Sequence, residues 1–206
     1  MASSDRPASV TFALAPERMP AIPADQMSAA QKEAAAEIAA GPRGKVVGPF
    51  IPLMRSPEFM RRVQKVGEYV RFVCPLDPRL NEFAAIIAAR YWNQQFVWSA
   101  HAPKAINAGL HQDVADAVGE GRRPVDMADD EEIVYDLLTE VFNTRGASDR
   151  TYARAVEKFG EAGLVDLLGI AGYYSMLGMI MNVARTAVPA GPPLPLASLP
   201  VRTYQT

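Results

Sequence analysis

Cysteine and histidine are scarce in this chain, with Cys74 the lone thiol and His101 and His111 the two imidazoles among 206 residues. A lone cysteine cannot close an internal disulfide, and it leaves neither a cysteine-based zinc site nor a C-x-x-C redox pair. Net charge is nearly absent as well. With 21 basic and 23 acidic residues the balance is -2 and no basic stripe accumulates, which argues against nucleic acid as a partner. Uninterrupted apolar runs stop short of the roughly 18 to 20 residues a membrane span needs. The longest apolar stretch, over residues 164–180, is punctuated by Asp166 and several glycines and reads as a buried core helix. The N-terminus carries Asp5, Arg6, Glu17 and Arg18 in place of a continuous apolar signal, so the expectation is a cytoplasmic protein without a membrane partner. Strand signals are equally thin. Val46-Val47 and residues 70–73 are the short β-branched clusters, and they fit better as a loop and a helix end.

What is present is the profile of an ordinary globular protein, 49% hydrophobic and 21% charged. A single domain of this length buries roughly 70% of its unfolded surface, so its core needs neither disulfide nor structural metal. Residues 1–26 are rich in Pro, Ala and Ser and read as an extended arm. Residues 188–206 form a second arm, in which Pro189, Pro192, Pro193, Pro195 and Pro200 remove backbone donors and forbid a regular helix. Apolar residues in both arms (Phe12, Leu14, Leu194, Leu196, Leu199) favour packing across a neighbouring subunit over disorder.

Residues 27–187 carry helical patterning with readable punctuation. Ser28 precedes a run of strong helix formers that Gly41-Pro42 ends. Residues 44–55 read as a loop. Ser56-Pro57 and Asp77-Pro78 each combine a cap with a proline at the first helical position. The second opens the longest expected helix, over residues 78–99, with a shorter one after His101-Ala102-Pro103. Further helices are expected from Gln112, from Asp129-Asp130, from Ser148 to about Phe159, and over residues 162–186. The predicted fold class is therefore all-α, an array of about eight helices.

The segment richest in chemistry runs from Glu82 to His101. A carboxylate in an apolar helix is costly to bury alone, and a histidine downstream can serve as its proton-exchanging partner. Two plainer arrangements stay open, with Glu82 a surface carboxylate near Arg79 and His101 the cap of a helix end.

Several segments together resemble the carboxymuconolactone decarboxylase-like family of the alkylhydroperoxidase D-like superfamily. They are Gly48-Pro49-Phe50, Ser56-Pro57-Glu58, Pro78-Arg79-Leu80-Asn81-Glu82, Tyr91-Trp92-Asn93-Gln94-Gln95-Phe96, Ala100-His101-Ala102-Pro103, Ala108-Gly109-Leu110, Gly121-Arg122-Arg123-Pro124 and Ser148-Asp149-Arg150-Thr151-Tyr152. The likeness runs from Gly48 to Asn182. The resemblance implies an alkylhydroperoxidase D-like helical array and a homo-oligomer, trimer or hexamer. In the peroxidase branch a glutamate is followed twelve residues later by C-x-x-C, and a histidine stands four residues after the second cysteine. Counting back from His101 places the cysteine positions at Val97 and Gln94 and the glutamate at Glu82. Both ends of that relay are present and both thiols are missing. Cysteine-free relatives often carry a glutamate where Val97 stands, so this chain departs from that pattern too. Without a thiolate and a resolving thiol, peroxide reduction of the peroxidase-branch type is not expected.

The decarboxylase branch implies chemistry on a small carboxylated or lactone-type ring compound with no metal or organic cofactor. Carried onto this chain, it makes His101 the acid/base and Glu82 its orienting or proton-relaying group. Gln94 and Asn93 become candidate hydrogen-bond donors, Trp98, Phe50 and Phe96 candidate pocket walls, and Arg55 and Arg90 candidate partners of a substrate carboxylate. Each aromatic has a plainer reading as core, and the Gly121-Arg122-Arg123-Pro124 turn one as a solvated loop. Met54, Met60, Met176, Met179 and Met181 either line a cavity or fill gaps between helices or subunits. The leading expectation is a cofactor-independent lyase or isomerase. Its alternatives are a catalytically silent scaffold and a thiol-independent oxidoreductase.

Overall fold

A computed structural model describes residues 16–188 and Leu196. The described residues hold eight α-helices, no strand, and one π-helical turn. The helices are α1 (Ala29–Ala40), α2 (Phe50–Leu53), α3 (Pro57–Glu68), α4 (Pro78–Tyr91), α5 (Gln95–Asn107), α6 (Gln112–Glu120), α7 (Asp129–Thr144) and α8 (Asp149–Ala184), with the π-turn (Tyr69–Val73) extending α3.

The centre of the array is α4, because its sequence is apolar nearly all round. Every residue from Phe83 to Arg90 is buried, and the small Ala84, Ala85, Ala88 and Ala89 let neighbouring helices approach closely. Helices α5, α6, α7 and α8 pack around it, while α1 lies on α3 and α2 is wedged between α3 and α8. Asp77 opens α4 as expected, its carboxylate accepting from the Arg79 N–H at 2.8 Å with Pro78 in the first turn. The Arg79 guanidinium then reaches across to α7, pairing with Asp130 at 2.8 Å and with Glu131. Arg79 is thereby committed to α7, which leaves Glu82 to other partners.

Several expected boundaries move. The loop over residues 44–55 contains α2, and Ser56 stands at the start of α3 without a side-chain capping bond. The cap position of α7 is Ala128, where Glu131 accepts from the Ala128 N–H at 3.0 Å. The expected helix over residues 78–99 is two helices, broken at residues 92–94. Asn93 there has φ +49°, a left-handed conformation that asparagine tolerates better than most side chains, and the Gln94 N–H closes the turn onto the Ala89 carbonyl at 2.8 Å. Pro103 consequently sits inside α5. The expected gap between helices near residues 159–162 is an interruption of α8 at Gly160, with φ +68° and ψ 171°.

By length and composition α8 is the one described helix apolar enough to cross a membrane; half of that apolar stretch is buried within the chain. The described parts of both arms make contacts with their own chain. The Arg18 N–H donates to the Ala184 carbonyl at 2.8 Å, the Ala187 N–H donates to Glu17 at 2.8 Å, and Leu196 is buried with its N–H and C=O both bonded to the Gln95 side chain. Phe12, Leu14, Leu194 and Leu199 lie outside the described residues.

Candidate active site

The break between α4 and α5 builds the site. On one continuous helix Glu82 and His101 would stand about 28 Å apart, nineteen residues at 1.5 Å each. The turn at Asn93 folds α5 back along α4, and His101 Nδ1 lies 2.5 Å from Glu82 Oε2. His101 is buried in the middle of α5, its ring set edge-on to Tyr174 of α8 at 4.6 Å between centroids. Burial holds the imidazole below the ordinary histidine range, with the Glu82 hydrogen bond and charge acting in the opposite direction. A neutral ring donating Nδ1–H to the carboxylate keeps its lone pair on Nε2, which is the arrangement of a histidine base held by an acidic residue.

One wall of a cavity of about 360 Å³ is the α5 face Val97, Ala100, His101, Lys104. The opposing walls come from the loop before α2, the π-turn and α8, and they bring three cations to one space, Arg43, Arg71 and Lys104. Arg43 donates to the Tyr173 hydroxyl at 3.3 Å and stacks its guanidinium 4.7 Å from the Phe50 ring, while Arg71 lies over Phe72 at 5.0 Å. None of the three forms an ion pair with a carboxylate among the described residues. Glu82 acts on Lys104 and Glu68 on Arg43, and three cations against these two carboxylates leave a space that favours an anion. Burial raises the hydroxyl pKa of Tyr173 and Tyr174, which therefore stay protonated donors at neutral pH. Among the described residues no three His, Cys, Asp or Glu side chains gather as metal ligands would.

The residues named from sequence divide sharply. Phe50 and Phe96 line the cavity with His101, and so do Met181 and the relay position Val97. Gln94 is instead the cap of α5, accepting from the Phe96 and Val97 N–H groups at 2.6 and 3.1 Å and donating to Asn182 at 3.1 Å. Asn93 is exposed in the turn. Trp98 packs on Gly119, and Arg90 donates to the Gly119 carbonyl at 3.0 Å, both at the junction with α6. Arg55 is bound to the Ile51 and Pro20 carbonyls. In the Gly121-Arg122-Arg123-Pro124 turn, Arg123 pairs with Glu132 and Asp136, so it has carboxylate partners already. His111 caps α6. Sequence reading missed Arg43, Arg71, Lys104, Tyr173 and Tyr174. Only Lys104 left a local signal, one helical turn beyond His101 on the same face.

Cys74 ends the π-turn and does not line the cavity, and burial raises its thiol pKa. No family model and no curated protein matches the sequence. Solved structures do. The crystal structure of an alkylhydroperoxidase AhpD core, an uncharacterized peroxidase-related protein from Ralstonia eutropha JMP134, superposes with a TM-score of 0.67 at 16% identity, covering 84% of this chain and 93% of that one. This chain has the alkylhydroperoxidase D-like fold. A protein of unknown function from Agrobacterium tumefaciens, described as a candidate AhpD antioxidant defence protein, gives a TM-score of 0.56 at 17% identity over 68% of this chain and 96% of its own. At such identity the likeness is one of fold.

Proposed function

We propose that this chain is a cofactor-independent lyase or isomerase that moves a proton at carbon on a small carboxylated or lactone-type ring compound. The supporting observation is the His101–Glu82 contact at the wall of a cavity lined by three cations that form no ion pair with a carboxylate among the described residues. In this reading Arg43 and Arg71 hold the substrate carboxylate. His101 Nε2 takes or returns the proton, and the Tyr174 hydroxyl lies in the same space as a donor to developing enolate charge. Phe50, Phe96 and Leu177 give the ring an apolar seat. A volume of about 360 Å³ suits a compound of one ring.

A panel of compounds tests this directly. Cyclic and unsaturated carboxylates and lactones are incubated with the protein in D2O, and deuterium uptake at carbon is followed by proton NMR. Wild type should exchange at least one compound, and His101→Gln should slow that exchange about a hundredfold or more. Glu82→Gln should move the pH–rate profile toward acid, because it removes the charge that favours the imidazolium. Full activity in both variants would place the chemistry elsewhere. Exchange of no compound would leave the scaffold reading in its place.

A further inference from the structure

Beyond proton transfer, we infer that Lys104 is an amine nucleophile that forms an imine with a 2-oxo acid bound in the same cavity. Lys104 follows His101 by one turn on the cavity face of α5, is exposed to entering reagents, and shares the space with Arg43 and Arg71. The groups facing this space are Arg43, Arg71, His101, Glu82, Tyr173 and Tyr174. Two guanidiniums remain charged at any working pH, so the lysine is the cation that sheds a proton to relieve the crowding. Partial burial lowers its pKa most, Arg71 and Arg43 add to the effect, and Glu82 opposes it. An amine lowered by desolvation and cationic neighbours is a recognised route to imine chemistry. A substrate carboxylate neutralises one guanidinium and leaves the other to keep the amine uncharged.

The step balances. The Lys104 amine adds to the ketone carbon, a proton passes from nitrogen to oxygen, and the hydroxyl leaves as water with one further proton, giving a protonated iminium. That cation then accepts the electron pair of a C–H bond on the carbon next to the iminium carbon, the proton going to His101, and an enamine results. Protonation at that carbon followed by hydrolysis restores the lysine.

The experiment uses the full chain, pyruvate as probe and cyanoborohydride to reduce any iminium to a stable carboxyethyl-lysine, mapped by peptide mass spectrometry. The chain carries four reference lysines, Lys32, Lys45, Lys65 and Lys158. Lys104 should label about tenfold faster than these or more, because burial and the neighbouring guanidiniums leave more of its amine neutral. Arg71→Gln should slow labelling at Lys104 and leave the reference lysines unchanged. Labelling of Lys104 no faster than the others, or insensitive to Arg71→Gln, overturns the proposal. His101→Gln separates it from the proton-transfer reading, since that variant should still form the adduct while losing exchange at carbon.

Discussion

His101 is a titratable ring in a buried place, and its energetics follow from that. In the unfolded chain it takes a proton near 6.5, while in the folded chain burial outweighs the pull of Glu82 and the pKa lies lower. The neutral ring's contribution is therefore intact above 6.5 and declines as pH falls toward the folded value, because only the unfolded state is then gaining a proton. Urea titrations across this range should find wild-type stability dropping below pH 6.5 more steeply than that of His101→Gln. Parallel slopes would mean that burial does not lower the pKa of the ring in the fold. Asp130, the Arg79 partner, titrates below the ordinary aspartate range and loses its contribution only in stronger acid.

At the scale of elements the chain uses two backbone interruptions, and they differ in kind. The turn at residues 92–94 is held by side chains, with Gln94 capping α5 and Asn182 of α8 bonded to both the Gln94 side chain and the Trp92 carbonyl. The interruption at Gly160 is held by glycine itself, in a φ/ψ region that other residues almost never occupy. A methyl group added there meets no atom within 4 Å, so the cost of Gly160→Ala is one of backbone conformation alone. The variant should lose about 1–3 kcal/mol in chemical denaturation. An unchanged midpoint would show that residues 149–184 run through as a single straight helix at no cost.

For the molecule as a whole, the outer face of α8 presents Val165, Leu168, Met179 and Val183, with open space beside Gly169 and Gly172. A second apolar stripe, Phe59, Val66, Tyr69, Phe72 and Val73, is exposed along α3 and the π-turn. Contiguous apolar surface of this kind usually marks association. The expected state is a homo-oligomer, trimer-based, and Leu168→Glu should shift it toward single chains. Light scattering at micromolar concentration that reads near 22.4 kDa for wild type would contradict this.

Sequence alone determined the helical class, the starts of α1, α4 and α8, and the pairing of a glutamate with a histidine as the chemistry to examine. The helical class and the helix starts are local matters of capping, periodicity and residue type: Ser28, Asp77-Pro78 and Ser148 act within three or four residues of where they stand, whereas the Glu82–His101 pair stood out through the family resemblance. Only the tertiary structure decided what surrounds the pair. The left-handed Asn93 turned a predicted single helix into two antiparallel ones and converted Gln94 from a candidate donor into a cap. It also moved Trp98 and Arg90 to the α6 side. The cavity's cations come from a loop, a π-turn and α5, and its phenols from α8, segments as far apart in the chain as Arg43 and Tyr173. No local pattern links such positions, because an anion-favouring space is a sum of charges brought together by packing, and the packing is set by apolar faces that carry none of them.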